Sequence, residues 1–147
     1  MRLLNFSFDS SIELGVGDRQ RLLDLHNIYD WLGVSYLSHQ RKVRMSWALP
    51  PAGTLEPHTL VQDLPGTFVL EFRGVSRVAA SPHDCEIPHA EDTCLDELTF
   101  TPVQPTAHES AHQIFRTDCG HVEFRFRSGF TLTIWAEEAE LIFGQDA

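Results

Sequence analysis

His108-Glu109-Ser110-Ala111-His112 is the first place in this chain where residue types and spacing suggest chemistry. It matches H-E-x-x-H, in which one helix sets two His on a single face for zinc and the Glu activates a water. Asp118 follows six residues after the second His, where a third ligand stands in some zinc peptidases. On that reading the chain is a metal-dependent hydrolase with zinc held by His108, His112 and Asp118. The surroundings argue against it. Pro102 and Pro105 precede the motif, β-patterned Ile114-Phe115 follows, and Phe115 stands where the extended motif has Gly. No long helix fits between them, so the preferred expectation is a chain with no catalytic residues and no cofactor, with zinc as the alternative.

Two other groups have metal-ligand types. Pro82 to His89 contains His83, Asp84, Cys85 and Glu86 and runs on to Cys94, while Cys119 and His121 form a smaller group. No C-x-x-C pair occurs, and the spacings fit no standard zinc module. A Cys–His nucleophile built from Cys85 or Cys119 with His83, His89 or His121 needs a third orienting group that the sequence does not place. Neither a G-x-S-x-G elbow nor a Gly-rich phosphate loop is present.

The charge pattern is more informative. The 147 residues carry a formal net charge of −10. Nucleic-acid binding needs clustered Lys and Arg, so it is not expected. From Val78 to Phe115 there is no Lys or Arg, and the span holds Asp84, Glu86, Glu91, Asp92, Asp96, Glu97 and Glu109. Such a run either solvates a loop or forms a docking surface for a basic partner. Asp84, Glu86, Glu91, Asp92, Asp96 and Glu97 are the candidate partner-binding residues. Glu123, Arg125 and Arg127 read as ordinary cross-strand solubility pairs. Three irregularly spaced cysteines argue against a secreted disulfide framework, and no apolar run has signal-peptide or membrane-spanning length. A cytoplasmic protein without membrane association is expected.

The elements that must position these residues are mostly strands. Val122, Phe124 and Phe126 alternate with charged residues, and Phe130, Leu132 and Ile134 alternate with Thr131 and Thr133. This period of two marks two half-buried strands. A two-residue loop at Ser128-Gly129 would set the apolar side chains on opposite faces. A three-residue loop, Arg127 to Gly129, makes Phe124 face Leu132 and Val122 face Ile134, with Gly129 left-handed.

The same pattern predicts strands around Leu4–Phe8, Val34–Tyr36, Val43–Leu49, Phe68–Phe72, Leu98–Phe100, Gln113–Thr117 and Glu140–Phe143. A four-residue loop over Ser38 to Arg41 puts Tyr36 opposite Val43 and Val34 opposite Met45. A bend is expected at Gly74, where the alternation changes parity. Asp18 as cap, with Leu22, Leu25, Tyr29 and Leu32 on one face, predicts the chain's one helix over 18–32, although 28–36 reads equally well as extended. The expected fold is mainly β with at most one or two short helices. It is a single domain over 1–147, an antiparallel sandwich or flattened barrel of about 8–10 strands.

The stretch GVSRV (Gly74 to Val78) after a Phe-rich strand, with EFRFRSGFTLTIWAEEAELIF (Glu123 to Phe143), resembles small uncharacterised bacterial β-rich proteins. Some of these are grouped with immunity proteins of polymorphic toxin systems. The resemblance implies a β-rich domain with a protein-binding role and no catalysis, and it assigns no functional residue.

Overall fold

The computed structural model describes residues 1–17, 21–51, 64–84, 86–87, 89–102 and 120–144, with the backbone alone at 89 and 90. The fold is mainly β, and no helix of seven residues or more occurs among the described residues. Twelve strands are described: β1 (Arg2–Leu4), β2 (Phe6–Phe8), β3 (Glu13–Val16), β4 (Arg21–Asp24), β5 (Asp30–Leu37), β6 (Lys42–Ala48), β7 (Thr67–Arg73), β8 (Arg77–Ser81), β9 (Leu95–Thr101), β10 (His121–Phe126), β11 (Thr131–Trp135) and β12 (Glu138–Phe143). They form sheets of order β1-β12-β7-β6-β5, β8-β11-β10-β9 and β2-β3-β4. All pairings are antiparallel except β1 with β12, which is parallel.

The closing hairpin has the expected register, Phe124 opposite Leu132 and Val122 opposite Ile134. The Phe126 N–H donates to Phe130 O at 2.9 Å across the three-residue loop, and Gly129 takes φ +80°. Tyr36 lies opposite Val43 and Val34 opposite Met45 around a 3-10 turn at Ser38–Gln40, with Arg41 left-handed.

The two larger sheets share a corner. The β7·β12 pair of the first continues round it as the β8·β11 pair of the second. Strands that switch sheets need a sharp bend. Gly74 supplies it at φ +64°, and a Cβ there would come within 2.6 Å of the Glu137 side chain. Arg41 ties the corner down by donating to Gly74 O at 3.1 Å and Val75 O at 3.2 Å.

The inner faces meet in one cluster. Val43, Met45 and Trp47 of β6 and Phe68, Leu70 and Phe72 of β7 pack with Val122, Phe124, Leu132 and Ile134. Phe6, Leu14, Leu23 and Leu25 bring the small third sheet into the same cluster. Phe8, Phe100 and Phe130 are only partly buried at its margin. Tyr29 is buried with its hydroxyl donating to Pro65 O at 3.0 Å. Burial pushes that phenol up to about 12, against a smaller downward pull from Arg21.

Of the helix expected over 18–32, the described residues 21–32 form none. Residues 21–24 are β4, a turn follows, and β5 starts at Asp30. Asp24 diverts the chain. Its carboxylate accepts from the N–H of His26 at 2.9 Å and of Asn27 at 2.8 Å, an Asx-type turn that competes with helix. Leu23 is buried while Leu22 is exposed, which is strand alternation.

The strand number also exceeds the expected 8–10. The first expected strand is two strands, split at Asn5, which is left-handed (φ 59°). Its amide bonds both Leu141 backbone groups, at 2.8 and 3.0 Å, and so continues the parallel pairing with β12 across the kink. Gly15 lies within β3, and Gly17 (φ +59°) follows the strand's end. The expected strand at 113–117 lies outside the described residues.

Candidate partner-binding surface

β8 and β9 are the two edge strands of the second sheet, and the acidic segment joins them. To do so it must cross the end of the sheet, where the β10–β11 loop protrudes. It runs as a strap over that loop. The Asp84 N–H donates to Ser128 O at 3.0 Å, and the Arg127 N–H donates to Cys94 O at 3.1 Å. Ser128 is consequently buried, although it sits at a hairpin tip. A short 3-10 turn, His89–Thr93, forms the strap's middle.

The candidate acids fall into three kinds. Asp84 is engaged in the strap's own turn: its carboxylate accepts from the Glu86 N–H at 3.0 Å and its carbonyl from the Ile87 N–H at 3.0 Å. Glu91, Asp92 and Glu97 have partners within the protein. Glu91 lies 3.5 Å from Arg127, Asp92 is 3.0 Å from Nδ1 of His83, and Glu97 accepts from Arg125 at 2.8 Å. Arg125 with Glu97 is the cross-strand pair, between β10 and β9, and Arg125 also lies 3.5 Å from Glu123, two residues before it on β10. Glu86 is exposed, as is Asp96, and neither has an ion-pair partner among the described residues. The structure therefore gathers the six acids at one end of the second sheet. The six carboxylates exceed the guanidiniums of Arg125 and Arg127 by four charges, before Glu123 beside Arg125 is counted.

One Cys–His contact is present that the sequence reading did not single out. The Cys94 sulfur lies 3.9 Å from Nδ1 of His26 and 3.5 Å from its carbonyl oxygen. Nδ1 of His26 is also hydrogen-bonded to Leu95 O, so that nitrogen carries the proton and cannot accept one from the thiol. Burial pushes the Cys94 thiol up, and Glu91 and Asp96 add to this, while Arg127 pulls it down. The net upward shift keeps sulfur as a thiol at neutral pH, the reverse of an activated nucleophile. Cys94 is expected to alkylate more slowly than a free thiol in iodoacetamide mapping at neutral pH. Faster labelling would return it to the list of nucleophiles.

His108, Glu109, His112 and Asp118 lie outside the described residues, as do Cys85 and Cys119 and the side chain of His89. Among the described residues no group of three or more His, Cys, Asp or Glu is arranged to hold a metal ion. His121 packs against Trp135 with ring centroids 5.4 Å apart and planes tilted by 30°, and Arg77 covers the same indole at 4.7 Å. An open cleft of about 610 Å³ lies elsewhere, beside β2 and β3, against Phe6, Val16 and Phe143, and among the described residues no ionisable side chain lines it. Among the described residues no helix is long and apolar enough to cross a membrane. No protein-family model, curated protein or solved structure matches the chain.

Proposed function

We propose that the protein is a small non-catalytic binding protein of the cytoplasm, of the immunity type that its strand pattern resembles. Its acidic strap between β8 and β9, together with Asp96 and Glu97 at the start of β9, recognises a basic protein partner. The observation that carries this reading is the anchoring of the strap to the β10–β11 tip by two backbone hydrogen bonds. An acidic segment held on a rigid β scaffold loses little entropy on docking, and recognition commonly sits on such segments. Glu86 and Asp96 are the exposed contacts, and Glu91, Asp92 and Glu97 can exchange their internal partners for those of the ligand. The attraction acts mainly on association rate and specificity, so it weakens with salt.

The test is a pull-down from the native cell at low and high salt with three proteins. These are wild type, the Glu86→Gln/Asp96→Asn pair, and a variant with Asp84, Glu86, Glu91, Asp92, Asp96 and Glu97 all neutralised. The expected result is a partner of high pI held at low salt, weakened by the pair and lost with all six changes. The same partner retained by the six-fold variant, or none at low salt, ends the proposal. Zinc content after purification without a His-tag is the companion measurement. Stoichiometric zinc that disappears in a His108→Ala/His112→Ala variant would return the chain to the hydrolases.

A further inference from the structure

Large apolar side chains are exposed mainly along one strand. On β5, Leu32 is 64%, Val34 41% and Tyr36 53% exposed. β5 is the outer strand of the five-stranded sheet, and among the described residues its far edge has no strand partner. Val34 and Tyr36 lie opposite the fully buried Met45 and Val43, so they extend the core face of the sheet beyond its cover.

β5 also differs from the other sheet edges in charge. β5 has one charge, Asp30 at its first residue, followed by seven neutral residues, whereas β1 carries Arg2 in three residues, β4 Arg21 and Asp24 in four, β8 Arg77 in five, and β9 both Asp96 and Glu97, while β2 is uncharged but three residues long. No Asp, Glu, Lys or Arg occurs between Asp30 and Arg41. Edge strands are normally blunted by charge, proline or shortness, and a long neutral edge is a template for pairing.

We propose that β5 pairs antiparallel with β5 of a second copy of this chain, across a two-fold axis at Ser35. The stretch between the bulge at Trp31/Gly33 and the 3-10 turn is Gly33 to Leu37, and Ser35 is its centre. Pairing about that residue uses the whole regular stretch. It sets Val34 against Tyr36 of the copy and Tyr36 against Val34, all on the core face. Aromatic with β-branched is a favourable cross-strand pair, and the contact is isologous, so it closes as a dimer.

Charge selects the same arrangement. A chain of net −10 repels its copy, and residues 31–40 add no formal charge to that repulsion. The acidic strap reaches β5 through the His89–Thr93 turn, whose C-terminal neighbour Cys94 touches His26, upstream of Asp30. An axis at Ser35 puts the two Asp30 ends roughly 30 Å apart at about 3.3 Å per residue. That is well beyond a screening length of about 8 Å. Parallel pairing would set the straps side by side.

Molar mass by light scattering and sedimentation, followed from low to high micromolar protein, tests this. Wild type is expected to pass from monomer to dimer. Val34→Lys and Tyr36→Lys each weaken the dimer about tenfold or more by placing a charge on the pairing face. Ser35→Cys under mild oxidation is expected to form a disulfide joining position 35 to position 35, mapped by peptide mass spectrometry. Directly opposed residues have Cα atoms about 4.5–5.5 Å apart, within disulfide range. Leu37→Cys, whose copy lies four residues away in this register, is expected not to cross-link to itself. A monomer at every concentration overturns the proposal, whether β5 stays bare or takes a strand from a different protein. A dimer indifferent to both Lys variants, or equal cross-linking at 37, overturns it as well. The cross-link needs no Lys substitution, so it decides the matter even where those variants fail to fold.

Discussion

Phe124→Ala is expected to destabilise the protein by about 3–5 kcal/mol. Phe124 is fully buried in β10 and touches both faces of the sandwich interior. Its ring lies 6.0 Å from that of Trp47 and 6.2 Å from that of Phe72, the latter edge-on. β6 and β7 belong to the first sheet and β10 to the second, so truncation opens a cavity where the two sheets meet. Aromatic contacts worth about 0.5–1.5 kcal/mol each are lost in addition to buried area. A folded domain is stable by only about 5–15 kcal/mol, and the change consumes much of that. The unfolding midpoint should fall by roughly 6–20 °C, at about 2–4 °C per kcal/mol for a chain of this size. Phe124→Leu, which keeps most of the volume, should lose much less. A Phe124→Ala midpoint within a degree or two of wild type would mean that the sheets do not pack through this ring.

The hairpin that carries Phe124 was legible because alternation, loop length and Gly129 all specify one register. Only a three-residue loop keeps Val122, Phe124 and Phe126 on the face of Leu132 and Ile134. The pairings of Val34 and Tyr36 followed from the same argument with a four-residue loop. Residues 18–32 were not legible because their apolar spacing serves two structures. Leu22, Leu25, Tyr29 and Leu32 fall at helical intervals, yet Leu23 is the side chain that β4 buries. Asp24, which a helix would place on its solvent face, instead binds two N–H groups ahead of it and closes a turn. The split at Asn5 was hidden too, since a single polar residue between Leu4 and Phe6 looks like ordinary alternation.

For the candidate surface, the absence of Lys and Arg over 78–115 gave the acidic span directly. What holds it could not be read off. The strap is tied through backbone groups of Ser128 and Cys94, and a backbone donor leaves no trace in residue type. Arg125 and Arg127 looked like solubility charges on a strand. Arg125 is one, and Arg127 is also a clasp on Glu91. Asp84 shows the opposite case: a carboxylate counted toward a surface charge is used to form the turn that presents its neighbours.

Glu71→Gln is expected to be the most damaging polar substitution, with a cost that depends on pH. Glu71 sits at the centre of the outer face of the five-stranded sheet, and its side chain is only 8% exposed. Its partners provide the cover. Lys42 and Arg44 approach to 3.4 Å and the Arg73 Nε donates to it at 2.7 Å, each of these cations being about a third exposed. Arg73 also donates to Glu140. Lys42 and Arg73 are directly opposed across β6 and β7, a like-charge pair that is unfavourable alone. Glu71 sits between them and offsets it.

Burial by itself would raise the Glu71 carboxyl, but the Arg73 hydrogen bond and the charges of Lys42 and Arg73 outweigh it and hold the group below its ordinary 4.5. A carboxyl lowered on folding stabilises the protein above its unfolded pKa and loses that contribution as pH falls through the folded value. At pH 7 the substitution leaves three cations facing a neutral amide. The cost should be about 1–3 kcal/mol, kept at this level because the cations remain partly solvated. Unfolding midpoints of wild type and Glu71→Gln should converge as pH falls from 4.5 through the lower folded value, where the wild-type carboxyl in turn becomes protonated. Adding Lys42→Gln to Glu71→Gln should recover part of the loss at pH 7, because it removes the exposed like-charge pair. A gap that is the same at pH 7 and at pH 3 would show that Glu71 contributes through packing alone and that its charge is not what holds these strands together.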